Sequence, residues 1–271
     1  MPPLHDFLRR TFLTILLLSG PLWADPPRTD QPAVHPAKVK VFMVGDSTMA
    51  DYHLNPAGPM RGWGQLMPLY FHSNVTIVNR AVSGHTSHAS LSQRWPGVLA
   101  EMQPGDYVII QFGHNDMKEG KPGYAAPFGA YTENLERFVR ETRDRQGSPL
   151  LATSVARRAF DEENKARNTL GDYPQAVREV GARLEVPVLE MNLHSMELLT
   201  LLGPERSAKL FCNPEAGEYP DYKPPRAEGP GLANPAVDNT HFNAMGASRM
   251  ADIAAQEIRL KAPDLARWLR D

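Results

Sequence analysis

The sequence predicts one α/β domain built on a parallel sheet, and three observations carry that reading. Short apolar runs rich in β-branched residues recur along the chain. Segments of helical periodicity lie between them, and strands alternating with helices imply parallel pairing with crossover helices on both faces. No internal repeat occurs and no linker follows Ala37, although the 271 residues would on length alone allow one generous domain or two small ones.

Taken in order, the first residues stand apart. Arg9 and Arg10 precede the apolar run Thr11 to Leu18, which is followed by Ser19, Gly20, Pro21 and Ala24. That arrangement predicts a signal peptide over residues 1–24 and export to the periplasm or the outside, with no stable membrane association after cleavage. The apolar run falls well short of the ~20 residues a spanning helix needs, which argues against the alternative of a retained anchor. Residues 25–37 are Pro-rich and polar and read as a flexible leader, so the domain proper is 38–271.

Lys38 to Val44, ending at Gly45, reads as the first buried strand. Val75 to Asn79, Tyr107 to Phe112, Leu150 to Val155 and Pro187 to Met191 complete five, apolar enough to be covered on both faces. Tyr131, Leu135, Phe138 and Val139 fall on one helical face. Val177, Val180 and Leu184 do the same after Asp172, a candidate N-cap, and Met250, Ile253, Ala254 and Ile258 form a last stripe. Met117 to Phe128 and Lys209 to Val237 are long loops rich in Pro, Gly and polar residues; loops of that length are usually functional or mobile, and both are candidates for shaping a cleft.

Composition excludes some functions. The formal net charge of −2 gives no sign of nucleic acid binding. Cys212 is the single cysteine, so no intrachain disulfide forms, and its loop setting without a basic neighbour favours a structural role over nucleophilic catalysis. His85 and His88 have no carboxylate or cysteine at ligand spacing and HExxH is absent, so neither a metal site nor a cofactor is expected.

In such a sheet, ligands bind beyond the carboxyl ends of the strands. Gly45-Asp46-Ser47-Thr48 follows the first strand, Ser83-Gly84-His85 the second, and Gly113-His114-Asn115-Asp116 the third; Asp238-Asn239-Thr240-His241 precedes the last helix. These parts meet the needs of acyl transfer. A serine hydroxyl needs an adjacent base, a histidine titrates near neutrality, and a carboxylate on its far nitrogen fixes its tautomer. Asp238 and His241, three apart, can face the same way in one turn. Ser47 N–H, Gly84 N–H and the Asn115 amide are candidate donors to an oxyanion. Ser47 alone would more often be a turn or cap serine; the other three blocks reverse that reading. Asp46, His114 and Asp116 read as supports of their loops.

The ordered blocks Gly45-Asp46-Ser47, Gly84, Gly113-His114-Asn115-Asp116 and Asp238-x-x-His241 resemble those of the SGNH (GDSL) hydrolase superfamily. That resemblance implies a flavodoxin-like three-layer α/β/α sandwich and metal-independent ester hydrolysis. It implies Ser47 as nucleophile, Asp238 and His241 as the rest of a triad, and Ser47, Gly84 and Asn115 as the oxyanion hole. GDSTMADY, GWGQ, NRAVSGHTS, QFGHND, SVARRAF, GDYPQAV and DNTHFN look like the rhamnogalacturonan acetylesterase group, which implies acetyl ester removal from the pectin backbone. The alternatives are another SGNH ester hydrolase (acetylxylan esterase, arylesterase or lipase) or a non-catalytic carbohydrate-binding protein. A classical α/β-hydrolase is disfavoured because no G-x-S-x-G elbow occurs. His85 stands where relatives commonly carry Arg and, with Trp63, Arg157 and Arg158, is a candidate substrate contact. The arginines read equally as solvated charges or as partners of a galacturonate carboxylate. Trp63 and Trp95 read as core aromatics or as sugar platforms.

Overall fold

The computed structural model describes residues 38–53, 58–214, 218–219 and 237–271. The predicted signal peptide and leader lie outside these residues, as does most of the late Pro-rich loop.

Five strands form one parallel sheet: β1 (Val39–Gly45), β2 (Val75–Asn79), β3 (Tyr107–Gln111), β4 (Ser148–Ala152) and β5 (Val188–Leu189). The strand order is β2-β1-β3-β4-β5, the flavodoxin-like order. The chain runs outward from β1 to β2, then crosses back over β1 to β3, so the winding direction reverses between β1 and β3. A crevice opens at the carboxyl ends of the strands at such a point.

The period of two along each strand separates two cores. Val41 and Met43 of β1 and Ile109 of β3 face one, while Phe42, Val44, Val108 and Ile110 face the other. The first core is completed by α1 (Trp63–Leu66), α6 (Met191–Ser207), α7 (Ala244–Lys261) and α8 (Pro263–Ala266). The second is completed by α2 (Ser87–Gln93), α3 (Trp95–Glu101), α4 (Ala130–Asp144) and α5 (Tyr173–Leu184). The result is the expected three-layer sandwich. Among the described residues no helix is long and apolar enough to cross a membrane.

Several element boundaries differ from the sequence reading. The fourth strand begins two residues earlier than expected and ends at Ala152, and β5 is reduced to two residues because α6 starts at Met191. Asp172 occupies the N-cap position of α5, but its side chain makes no cap bond; Asn243 does cap α7, accepting from Gly246 N. Helix α6 was not predicted. It is not one regular helix, since Gly203 (φ 70°) and Pro204 interrupt it, and its apolar residues make no single stripe. Met117 to Phe128 holds no helix or strand, as expected; it is stitched by turns such as Tyr124 N–H to Lys121 C=O and closed by Ala125 N–H to Asp116 C=O.

Candidate active site

Ser47 lies in the turn that ends β1. Asp46 builds that turn: its Oδ1 accepts from the Thr48 amide (3.0 Å) and hydroxyl (2.8 Å), and its carbonyl accepts from the Met49 and Ala50 amides. A buried polar chain backs the turn, with Gln111 Nε2 donating to Thr48 Oγ1 (2.7 Å) and Trp63 Nε1 donating to Gln111 Oε1 (3.0 Å). Asp46 is wholly buried, and its other oxygen lies 3.5 Å from Nδ1 of His114, whose Nε2 meets the Val155 carbonyl at 3.0 Å. Burial alone would raise the Asp46 carboxyl, but His114 and the Thr48 donors outweigh it and hold the group below the usual carboxylate range. For His114 burial wins over Asp46 and lowers the imidazolium. Tyr52 donates to the Ser47 carbonyl (2.8 Å).

The segment 238–242 arrives at this turn from across the site. His241 Nε2 lies 3.0 Å from Ser47 Oγ, and His241 Nδ1 lies 2.9 Å from Asp238 Oδ2. Asp238 Oδ1 accepts from the Thr240 and His241 amides (2.9 and 2.8 Å), an Asx turn that explains how a spacing of three places carboxylate and imidazole side by side. Other elements hold the main chain of this loop. Asn213 pairs with both main-chain groups of Asp238, Arg158 bonds both Asn239 C=O and Asn239 Oδ1, Cys212 N–H donates to the His241 carbonyl, and Arg61 N–H donates to Phe242.

The third group lies on the loops after β2 and β3. Gly84 has φ +80°, a left-handed conformation, and nothing within 4 Å of where a Cβ would stand, so its backbone is open to an approaching ligand. Asn115 Nδ2 donates to the His85 carbonyl (2.9 Å), which ties the two loops together and fixes the amide. The main-chain N–H groups of Ser47 and Gly84 have no acceptor among the described residues. Asp116 anchors the same loop pair, accepting from Ser87 N–H (2.8 Å) and Ser87 Oγ–H (2.5 Å). Chemically, the arrangement offers a hydroxyl beside an imidazole that is itself beside a carboxylate, with donors on neighbouring loops.

The expected substrate contacts fare differently. Trp63 is fully buried, its indole N–H spent on Gln111, so it is a core residue and not a sugar platform; Trp95 is likewise buried and donates to Glu141. Arg157 is 5% exposed and directs its guanidinium at the His114 carbonyl and Thr169, and burial lowers it to about 10. Neither of the expected roles, solvated charge or carboxylate partner, fits that position. Arg158 donates to Asn239, the Pro204 carbonyl and Ser207, so its role is to brace the 238–242 loop. His85 is half-buried next to Gly84, its carbonyl taken by Asn115 and its imidazolium lowered by burial and by Arg94. Cys212 is buried, its thiol on the Phe242 carbonyl, as its structural reading requires. Sequence reasoning missed Asn213 and the bracing function of Arg158, whose partners lie 25 and 81 residues away.

Comparison with known proteins shows the family. The model of the GDSL-like lipase/acylhydrolase family matches residues 43–249. The chain is 35% identical to rhamnogalacturonan acetylesterase RhgT of Bacillus subtilis (strain 168) over 221 residues, covering 81% of this chain and 89% of that one. It is 28% identical to the probable rhamnogalacturonan acetylesterase YesY of the same organism, over 81% of this chain and 92% of that one. Among solved structures, Bacillus subtilis YxiM superposes with a TM-score of 0.68 at 21% identity, over 82% of this chain and 56% of that one. The acetylxylan esterase Axe2 of Geobacillus stearothermophilus gives 0.57 at 17%, over 82% and 95%. At these identities the two structures speak to the fold alone.

Proposed function

Because the chain belongs to the GDSL-like lipase/acylhydrolase family and is a carboxylic ester hydrolase, we propose that it removes O-acetyl groups from a plant cell-wall polysaccharide, rhamnogalacturonan, through an acetyl-Ser47 intermediate. The observation that carries the substrate is the 35% identity to a rhamnogalacturonan acetylesterase over most of both chains. The contacts of His241 with Ser47 and Asp238 support the chemistry.

In this reading Ser47 Oγ attacks the acetyl carbonyl as its proton passes to His241 Nε2. The oxyanion that forms is met by the N–H groups of Ser47 and Gly84 and by the Asn115 amide, each such donor contributing roughly 3–4 kcal/mol. Collapse breaks the bond to the sugar oxygen, which takes the proton from His241. Water then repeats the sequence on the acetyl-enzyme and releases acetate. Asp238 orients the imidazole and stabilises the imidazolium that appears in both halves.

Ser47→Ala is expected to abolish acetate release from acetylated rhamnogalacturonan, by on the order of 10⁶-fold, while the protein stays folded. Retained turnover would refute the assignment. A panel of acetylated pectin, acetylated xylan and small acetyl esters separates rhamnogalacturonan from the other ester hydrolase readings. Labelling of Ser47 by a fluorophosphonate separates an enzyme from a binding protein. Export through cleavage after Ala24 belongs to the same proposal, and its support is the basic and apolar pattern of residues 9–24.

A further inference from the structure

The carboxylate of Asp238 contacts His241 and is held by the Asx turn of its own segment, but the main chain of Asp238 is held from a different segment. It follows the Pro- and Gly-rich segment 214–237, and the residue before that segment is Asn213. The Asn213 side chain makes two bonds to one residue: Nδ2 donates to the Asp238 carbonyl (3.0 Å), and Oδ1 accepts from the Asp238 amide (2.8 Å). An amide side chain is here paired with both main-chain groups of one residue, as a neighbouring strand would be. The adjoining residues continue the pairing. Cys212 N–H donates to the His241 carbonyl (2.9 Å), Phe211 forms an antiparallel bridge with Phe242, and Asn243 N–H donates to the Leu210 carbonyl (3.1 Å). Residues 210–213 therefore act as a short splint along 238–243, and the Asn213 end of it lies at the acid.

We propose that Asn213 is a positioning residue of the reaction: its amide holds the main chain of Asp238 in register with His241. The inference rests on the reading of Asp238, His241 and Ser47 as a triad. Asn213 touches no reacting atom, and its effect passes through Asp238. Both bonds are directional and converge on one residue, so losing them leaves only the Asx turn to hold the acid and lets its main chain shift relative to the imidazole. Misplacement of a catalytic group by about 1 Å costs on the order of 10²-fold.

The test is a double-mutant cycle on the full chain with Asn213→Ala, Asp238→Ala and the two combined, read as kcat and KM for p-nitrophenyl acetate and as the rate of Ser47 labelling by a fluorophosphonate. Asn213→Ala is expected to lower kcat by about 10- to 100-fold with KM changed less than about 3-fold. In the Asp238→Ala background the same change is expected to cost less than about 2-fold, because the group it positions is gone. An equal loss in both backgrounds would show a general structural role and overturn the proposal, as would an unchanged kcat in Asn213→Ala. A fully active Asp238→Ala overturns the triad reading itself, and this inference with it. Should Asn213→Ala fail to fold, Asn213→Asp keeps the acceptor for the Asp238 amide and replaces the donor with a charged oxygen facing the Asp238 carbonyl. Its kcat is expected about 3- to 10-fold below the parent, and parental activity there overturns the proposal.

Discussion

Asp116 follows the oxyanion candidate Asn115 and is buried, with Oδ1 bound twice by Ser87 and Oδ2 meeting no partner among the described residues. Burial raises its carboxyl to about 6, against the opposing pull of the Ser87 bonds. A carboxyl whose folded value lies above its unfolded one binds its proton more tightly when folded. The stability this contributes is present in full below about 3.8 and is lost as the pH rises through about 6. Asp116→Asn keeps an acceptor for Ser87 and removes the titration. Relative to Asp116→Asn, the parent is therefore expected to lose roughly 2–3 kcal/mol of unfolding free energy between pH 4 and pH 7. Urea unfolding of both proteins at the two pH values measures this difference. The fixed cost of the substitution cancels, and a gap of the same size at both pH values would show that Asp116 does not titrate there.

At the scale of elements, the loop bearing Ser47 rests on α1 as closely as backbone can approach backbone. A Cβ on Gly62 would stand 2.2 Å from the Ala50 carbonyl oxygen and 2.4 Å from the Met49 carbonyl carbon, and one on Gly64 would stand 2.5 Å from the Met49 carbonyl oxygen. Trp63 N–H donates to the Thr48 carbonyl between them (2.9 Å). Gly62 has φ −87°, so the requirement is for space and not for a left-handed backbone. Gly62→Ala is expected to push the 48–50 segment away from α1, costing about 1–3 kcal/mol or more in thermal unfolding and lowering kcat with it. Parental stability and kcat together would contradict that packing. This contact also marks where sequence reading stops. β1 and β3 were legible as apolar runs rich in β-branched residues, and α4, α5 and α7 because each carries a stripe at helical period. Helices of four to seven residues, such as α1, are too short to show a period, and α6 shows none. The four site blocks were legible because each sits at the end of a strand or the start of a helix. Asn213 and Arg158 were not, because a bond spanning 25 or 81 residues leaves no local pattern. Trp63 and Arg157 misled for the opposite reason: they neighbour the site in sequence and topology, yet their side chains turn into the layers beneath it.

At the scale of the whole molecule, the sheet separates the edge that carries the candidate site from a structural one. The Ser47, Gly84 and Asn115 turns all follow the carboxyl ends of β1, β2 and β3. At the opposite edge, where β2 begins, the last residues of the chain are fastened to the segment that leads into it. His72 N–H donates to the Trp268 carbonyl, Phe71 and Leu269 form an antiparallel bridge, and Arg270 donates from its amide to Tyr70 and from Nε to the Phe71 carbonyl. Trp268 is buried in the core shared by α1, α7 and α8, so it locks the end of the chain to the sheet. Trp268→Ala leaves a cavity there and is expected to cost about 3–5 kcal/mol. That is a large part of the 5–15 kcal/mol typical of a domain. At roughly 2–4 °C per kcal/mol for a chain of this size, the midpoint of thermal unfolding is expected to fall by about 6–20 °C. Because the edge it closes is the one away from Ser47, kcat per folded molecule at low temperature is expected to stay within about 2-fold of the parent. A loss of kcat without a fall in the unfolding midpoint would mean that the two edges are coupled through the sheet.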